Sequence, residues 1–234
     1  EAVPVPGEVR STAIVLERGG RATVLNEPGP ELPAGAWNAF EAAIASALPG
    51  ALVCSGSIPP GAPLDAYARL TRLASGSLTL VDAAGDVLAA ALGAEPDVVT
   101  PNLAEAEGVL GRAAPDGVQP SRAEARTRAL AAARELAGRG PRVAVVTAGE
   151  AGVAVAQRGE EPGWHDAPRV PVRNPVGAGD SFAAGLALAL AVGEPLEEAV
   201  AAALATAAAS VETAGAGEVD PARVRALRSE RVGT

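Results

Sequence analysis

Residues 174–185 read Asn-Pro-Val-Gly-Ala-Gly-Asp-Ser-Phe-Ala-Ala-Gly and continue into small and apolar residues as far as Val192. The pattern predicts a glycine turn that ends in an acid, Asp180, and leads into an apolar, Ala-rich helix. The free N–H groups and dipole of a helix N-terminus favour a bound anion, and glycines let a phosphate approach the backbone closely. Asp180 would then lie beside that phosphate, as a base for phosphoryl transfer does. A tight structural loop with an acidic first turn explains the same residues equally well.

The composition narrows the class of protein. The chain has 234 residues, a net charge of −9 and an isoelectric point near 4.8, and all 19 of its cationic residues are Arg. Such an acidic chain favours neither nucleic acid nor an anionic membrane as a partner, so an anionic substrate would be held by a few local donors. A single Cys and the lack of a long apolar run are typical of a cytoplasmic protein without disulfides.

The order of predicted elements indicates the architecture. Two predicted strands, Thr12–Leu16 and Arg21–Leu25, flank Arg18-Gly19-Gly20 and indicate a hairpin. Helices then alternate with apolar strands; the predicted helices are 34–48, 64–73, 86–92, 104–110, 122–137, 181–192, 196–211 and 221–228, and the predicted strands are 51–54, 78–81, 97–100, 142–146 and 152–156. This alternation predicts a mostly parallel sheet covered by helices on both faces. We expect residues 1–30 to form a small β flap, or lid, and residues 31–234 to form an α/β core.

Three further segments stand at predicted strand ends, where open α/β sheets bind their ligands. Ser55–Gly61 reads Ser-Gly-Ser-Ile-Pro-Pro-Gly, which offers hydroxyls and glycines to a polar ligand or forms a turn before a helix. Asn102 and Glu105 have the spacing of a helix capping box, and the same oxygens suit hydrated Mg²⁺. Thr147 and Gly149 expose a hydroxyl and backbone donors that could meet nucleotide phosphates or form a hairpin turn. Each segment taken alone therefore keeps a structural explanation.

Together and in this order, the segments resemble those of the ribokinase-like carbohydrate kinases, the PfkB family. Within that family, the chain is most similar to the branch of 1-phosphofructokinases and tagatose-6-phosphate kinases. The resemblance covers nearly the whole chain and is carried by Gly7–Arg10, Asn26–Pro30, Ser55–Gly61, Val81–Gly85, Pro101–Glu105, Thr147–Gly149 and Asn174–Ser181. It implies a ribokinase-like three-layer α/β/α fold with a mostly parallel central sheet and a small β flap.

The resemblance also implies an activity: ATP-dependent phosphoryl transfer to a hydroxyl of a sugar phosphate, with fructose 1-phosphate giving fructose 1,6-bisphosphate as the leading reaction. Tagatose 6-phosphate or another sugar is the alternative within the same chemistry, and a non-catalytic nucleotide-binding fragment is the alternative outside it. Asp180 would be the base that takes the proton of the sugar hydroxyl. Backbone N–H groups of Gly177, Ala178 and Gly179 would form an anion hole, since fixed dipoles stabilise the charge on a transferring phosphoryl group.

The nucleotide and its metal ion are assigned, by the same resemblance, to positions on the other predicted loops. The expected ATP-binding residues are Thr147, Gly149, Gly152, Asn102 and Gly179. Asn102 and Glu105 would hold Mg²⁺ largely through water molecules. Small residues of the helix at 196–213 would lie near the adenine.

The substrate side is assigned to Arg10, Ser57 and Asp180. Arg10 would reach from the flap to the phosphate already on the sugar, with Ser57 nearby, because a guanidinium is a fixed fork of donors. Relatives often pair through the flap, so a homodimer is expected.

The chain departs from the family pattern in two respects. The N-terminal third of the family's chain, which carries the sugar-hydroxyl Asp and a glycine-rich sugar loop, has no counterpart in these residues, so we expect the sugar site to be incomplete. Thr100 stands where many relatives carry Lys. Asp82 follows a strand and is expected to orient its loop rather than to act in catalysis.

Overall fold

The computed structural model describes residues 3–16, 22–47, 50–112 and 120–232. Its strands are β1 (Thr12–Leu16), β2 (Ala22–Asn26), β3 (Ala51–Ser55), β4 (Leu78–Asp82), β5 (Val98–Val99), β6 (Val143–Thr147), β7 (Gly152–Gln157) and β8 (Gly163–Asp166). Its helices are α1 (Ala36–Ala47), α2 (Ala66–Leu73), α3 (Gly85–Leu92), α4 (Leu103–Val109), α5 (Arg122–Ala137), α6 (Ala178–Ala191), α7 (Leu196–Val211) and α8 (Pro221–Val232), with a 3-10 turn at Gly149–Ala151. The predicted hairpin turn at 18–20 and the predicted helix end at residue 48 lie outside the described residues.

A six-stranded sheet in the order β3-β4-β5-β6-β7-β8 forms the centre of the molecule. The strands from β3 to β6 run parallel to one another, whereas β7 is antiparallel to both of its neighbours. Residues 143–146 of β6 are buried on both faces, as expected for a central strand of Val and Ala. The prediction of a mostly parallel sheet is therefore confirmed. Strands β1 and β2 form a separate antiparallel ribbon.

Helices cover both faces of the sheet because successive strand residues point to opposite sides. On one face, Val81 and Val99 pack in a core shared with helices α1 to α5. On the other face, Leu80 and Val98 pack against α6 and α7. Small residues let α6 and α7 approach closely, since a Cβ added at Gly185 would lie 3.1 Å from a backbone atom of α7. The expected three-layer α/β/α fold is confirmed.

Most element boundaries differ from the predicted ones by one or more residues, and two of the differences lie close to the glycine turn or in the central sheet. Helix α6 begins at Ala178 rather than Ser181, because Gly177 adopts a left-handed φ of 83° and forms the N-cap. The helix therefore carries Asp180 within its first turn. Strand β5 is confined to Val98–Val99, and the side chain of the preceding Asp97 accepts a hydrogen bond from the Thr79 N–H at 2.8 Å. Among the helices of the described ranges, none is long and apolar enough to cross a membrane.

Candidate active site

Three polar side chains meet at the carboxyl ends of β3 and β4. Ser55 ends β3, Asp82 ends β4, and the parallel register pairs the two residues directly. Ser55 Oγ lies 3.2 Å from Asp82 Oδ2 and 3.2 Å from Asp180 Oδ1. The acid of the glycine turn is thus at the edge where open α/β sheets bind ligands. The sequence singled out the segment that begins at Ser55 but not this contact, which depends on neighbouring strands ending at the same level.

The glycine turn before α6 is held against the loop that follows α7. A Cβ added at Gly177 would lie 2.9 Å from the Gly217 nitrogen, so both its positive φ and its surroundings require glycine. The buried Asn174 ties the two loops together, since its Nδ2 donates to the Ala214 carbonyl at 3.0 Å. Its Oδ1 accepts a hydrogen bond from the Val176 N–H, also at 3.0 Å. The start of α6 is therefore fixed by tertiary contacts that sequence reasoning did not assign.

Asp82 has the most perturbed carboxyl group of this cluster. Burial raises the pKa of Asp82 from 3.8 to about 6, the hydrogen bond from Ser55 opposes this rise, and the charges of Glu105 and Asp180 add to it. The buried Thr100 hydroxyl, which makes no hydrogen bond of good geometry within the described residues, is still close enough to lower the pKa of Asp82. A carboxyl group with a pKa of about 6 changes between its protonated and ionised forms around pH 6.

Asn102 and Glu105 form the capping box of α4. Asn102 Oδ1 accepts from the Glu105 N–H at 3.0 Å, and Glu105 Oε2 accepts from the Asn102 N–H at 2.9 Å. The capping box, which was the structural explanation for this pair of residues, is therefore present in the structure. Asn102 is exposed and Glu105 is half-buried, and one carboxylate oxygen of Glu105 remains outside the capping box. The pair therefore fits a hydrated Mg²⁺ ion held through water better than direct coordination by both side chains. Within the described residues, no group of three or more His, Cys, Asp or Glu is placed to hold a metal ion.

A cavity of about 900 Å³ opens beside the N-terminus of α6. Thr147 and Gly149 line it from the end of β6, and Ala178 and Gly179 line it from the helix. Most of the remaining wall is apolar, and three charged residues also line it. The apolar residues include Phe182, Leu204, Ala207, Ala208, Val211 and most of the segment 167–172, and the charged ones are Arg122, Glu150 and Arg169. Clefts of this size with apolar walls and a few convergent polar groups are typical of small-molecule sites. Sequence reasoning anticipated the wall from α7 but missed the segment 167–172, because that segment belongs to no helix or strand.

Gly152, which we expected to bind the nucleotide, is not among the residues that line this cavity. It begins β7 with a φ of 131°, and a Cβ added there would lie 2.2 Å from the His165 carbonyl oxygen. Close pairing of β7 with β8 therefore accounts for this glycine.

The flap segment is connected to the loop that follows β3. Arg10 Nη1 donates to Ser57 Oγ at 3.4 Å, so the structure brings together the two residues expected at the sugar phosphate. Just after the flap, a backbone hydrogen bond of 2.8 Å from the Leu32 N–H to the Pro60 carbonyl joins the chain to the same loop. Glu27 Oε2 accepts from the Ser11 N–H at 2.7 Å and closes the base of the β1–β2 ribbon.

Comparison with known proteins gives the affiliation of the chain. Residues 6–223 match the pfkB family of carbohydrate kinases. The chain belongs to the pfkB family. Among pfkB relatives, 1-phosphofructokinase of Rhodobacter capsulatus is 35% identical over 200 residues, which cover 83% of this chain and 60% of that protein. The 1-phosphofructokinase of Xanthomonas campestris is 33% identical over 195 residues, which cover 80% of this chain and 58% of that protein.

The chain thus spans 60% and 58% of the lengths of these two pfkB relatives. The tetrameric inhibited form of phosphofructokinase-2 from Escherichia coli has a TM-score of 0.81 with this structure at 26% identity. That match covers 97% of this chain and 72% of the other chain. The pfkB family is therefore shown by sequence and by fold, in agreement with the resemblance of the motifs.

Proposed function

We propose that the chain takes part in ATP-dependent phosphoryl transfer to a hydroxyl of a sugar phosphate in the cytoplasm. Fructose 1-phosphate is the first candidate substrate, because the two relatives named 1-phosphofructokinase are 35% and 33% identical to the chain. Tagatose 6-phosphate is the second candidate. One observation carries the proposal: Ala178 and Gly179 line the cavity, while the next residue, Asp180, contacts Ser55 at the sheet edge.

This arrangement suits two substrates that meet at one helix N-terminus. The apolar part of the cavity fits a nucleotide base, and Thr147 and Gly149 offer a hydroxyl and a backbone N–H to its phosphates. The N–H groups of Gly177, Ala178 and Gly179 then lie where the terminal phosphate would reach the helix, and such groups favour anions.

In the proposed reaction, Asp180 accepts the proton of the sugar hydroxyl. The hydroxyl oxygen forms a bond to the γ-phosphorus of ATP as the bond between that phosphorus and the oxygen of the ADP leaving group breaks. The backbone N–H groups at the start of α6 stabilise the charge on the transferring phosphoryl group without having to reorganise. Asn102 and Glu105 would hold Mg²⁺ through water, where the ion offsets the negative charge of the phosphates.

On the substrate side, we propose that Arg10 binds the phosphate of the sugar and that Ser57 supports it. Their 3.4 Å contact supports this assignment, because it presents a guanidinium fork and a hydroxyl from two segments at the same place. Residues 1–30 would then act as a lid over the α/β core of residues 31–234.

The first experiment measures ATP consumption by the purified product of the full-length open reading frame with fructose 1-phosphate, tagatose 6-phosphate, fructose 6-phosphate and ribose. We expect the highest kcat/KM with fructose 1-phosphate. Turnover with tagatose 6-phosphate instead would move the proposal to the second candidate. Binding of ATP without turnover on any of the four would support a non-catalytic nucleotide-binding protein and refute the kinase proposal.

The second experiment tests the base with Asp180→Asn. We expect kcat to fall by about 10²–10⁴-fold, because an amide cannot accept the proton and general bases contribute about this much. Asp86→Asn is the matched control, since Asp86 lies in the first turn of α3 and takes no part in the proposed site. A loss of less than about tenfold in Asp180→Asn would exclude Asp180 as the base.

We further propose a second copy of the chain as the partner of the flap. Val15 and Leu25 are 53% and 60% exposed, and the register Ala13↔Leu25 places both on the same face of the β1–β2 ribbon. The relative from E. coli has a tetrameric form, which supports self-association in the family. We expect light scattering to report a dimer that Val15→Asp converts to a monomer; a monomer in both proteins would contradict the proposal.

A further inference from the structure

The hydroxyl of Ser55 is the link between the proposed base and the central sheet. It lies at the same distance, 3.2 Å, from Oδ1 of Asp180 on α6 and from Oδ2 of Asp82 on β4. Asp180 is exposed, and its second carboxylate oxygen has no part in the Ser55 contact. A carboxylate held at one oxygen keeps the other oxygen available in a defined direction.

We infer that Ser55 is a positioning residue for Asp180, with Asp82 directing the Ser55 hydroxyl. This inference rests on the proposed kinase function. Ser55 would hold Oδ1 of Asp180 so that Oδ2 faces the sugar hydroxyl. Bases of this kind depend on geometry, because a displacement of about 1 Å at a reacting group can cost about 10²-fold in rate.

The backbone around Ser55 is itself fixed, as a positioning role requires. The hydroxyl of the buried Tyr67 lies 3.0 Å from the Ser55 carbonyl oxygen and 3.2 Å from the Gly56 carbonyl oxygen, and its one proton is donated to either of them. The Gly56 N–H donates to the Asp82 carbonyl at 3.0 Å, which extends the strand pairing past the end of β3. A chain of hydrogen bonds therefore runs from the core through Ser55 to Asp180.

The number of protons available for donation explains why Asp82 affects the hydrogen bond between Ser55 and Asp180. A serine hydroxyl has one proton to donate and can also accept, whereas an ionised carboxylate only accepts. With both acids ionised, Ser55 can donate to Asp82 or to Asp180 but not to both. When Asp82 is protonated it donates to Ser55 Oγ, and Ser55 donates to Asp180. The groups that influence the charge state of Asp82 are Ser55, Glu105, Asp180 and Thr100.

The test compares Ser55→Ala with Ser55→Thr, which restores the hydroxyl. Ser46→Ala is the matched control, because the Ser46 hydroxyl donates to the Ala43 carbonyl on the distant helix α1. We expect Ser55→Ala to lower kcat about 10- to 100-fold while the KM for ATP changes less than about twofold. Ser55→Thr should recover most of the kcat, and Ser46→Ala should leave both constants unchanged.

A second readout does not depend on turnover. Carboxyl ¹³C NMR of the Asp side chains follows the titration of Asp82 in wild type, Ser55→Ala and Ser55→Thr. The lowering of the pKa of Asp82 by Ser55 corresponds to Ser55 donating to the ionised carboxylate. Because that hydrogen bond favours ionised Asp82 more than the reverse bond favours protonated Asp82, we expect the pKa of Asp82 to rise above about 6 in Ser55→Ala and to return in Ser55→Thr.

These measurements distinguish a failure of the positioning role of Ser55 from a failure of the kinase proposal. An unchanged kcat in Ser55→Ala, or equal losses in the Ala and Thr variants, overturns the positioning role while the kinase proposal stands. An unchanged titration of Asp82 in Ser55→Ala shows that the Ser55 bridge is absent. A wild-type protein without turnover on any sugar phosphate refutes the kinase proposal and the positioning role of Ser55 together, and the titration alone then reports whether Ser55 bridges the two acids.

Discussion

The half-buried carboxyl group of Asp82 leads to a prediction about stability that requires no enzyme activity. The pKa of Asp82 is raised by burial from 3.8 to about 6, so folding disfavours its ionised form. Between these two pH values the folded protein binds a proton that the unfolded chain has already released. The contribution of Asp82 to stability therefore falls as the pH rises through this range, and the full cost is present above about pH 6. Asp82→Asn removes that cost.

The size of the effect follows from the same values. A rise from 3.8 to about 6 corresponds to about 3 kcal/mol. Asp82 is only half-buried, and solvent screening reduces this figure, so we expect Asp82→Asn to be more stable than wild type by about 1–2 kcal/mol near pH 8. Near pH 4, where Asp82 is protonated in the folded protein, the two proteins should differ by less than about 0.5 kcal/mol. The Asn carbonyl can still accept from Ser55, and its amide can donate to the Thr100 hydroxyl.

Urea unfolding followed by circular dichroism at about pH 4, 5, 6 and 8 measures this difference. Asp65→Asn is the control, because Asp65 is exposed and its side chain makes no capping hydrogen bond at the start of α2. The control should follow the wild-type profile. A stability difference between Asp82→Asn and wild type that is the same at every pH, or a wild type that is the more stable near pH 8, would refute the reasoning.

Two further predictions, each with a control substitution, concern a buried ion pair and the glycine turn before α6. Arg128 donates to both carboxylate oxygens of Glu107, whose side chain is 5% exposed, at 2.7 Å and 2.5 Å. Arg128→Ala leaves this buried charge unpaired and should lower the free energy of unfolding by about 3 kcal/mol. Arg142→Ala removes an exposed guanidinium 3.6 Å from the half-buried Asp97 and should cost less than about 1 kcal/mol; equal losses would contradict this. Gly177 and Gly193 have nearly equal φ values of 83° and 84°, but only a Cβ added at Gly177 would meet a backbone atom, at 2.9 Å. We therefore expect Gly177→Ala to lower the free energy of urea unfolding by at least about 1 kcal/mol more than Gly193→Ala does. Equal losses would show that the backbone around Gly177 moves to accept the methyl group at no cost.

Much of the fold could be predicted because its signals are local. Helix α5 begins and ends at the predicted residues, since Ser121 and Glu124 form a capping box and an Ala-rich run follows. The buried strand β6 was readable from its β-branched residues. The start of α6 could not be predicted in this way, because the left-handed turn at Gly177 packs against the loop at Gly217, which is distant in sequence.

The candidate site also has parts that the sequence predicted and parts that only the structure showed. The motifs singled out Asp180 and the glycine turn before it, and the family resemblance paired Arg10 with Ser57, whose side chains the structure brings within 3.4 Å. The roles of these residues stay predictions. The motifs and the resemblance also gave Gly152 a role at the nucleotide, although the structure shows that the pairing of β7 with β8 requires glycine there. They could not show that the cavity wall includes the segment 167–172, because that segment has no regular structure and no motif.

By itself, the amino-acid sequence determined the order of helices and strands, the parallel sheet and the loop that carries Asp180. Those features follow from hydrophobic periodicity, capping and glycine turns, which act over a few residues. Only the tertiary structure decided that Ser55 meets Asp180 across 125 residues of chain and that Asp82 lies beside them with a raised pKa. Such contacts depend on which strand ends are level and how deeply each carboxyl group is buried, and both are properties of the packed sheet rather than of any segment in it.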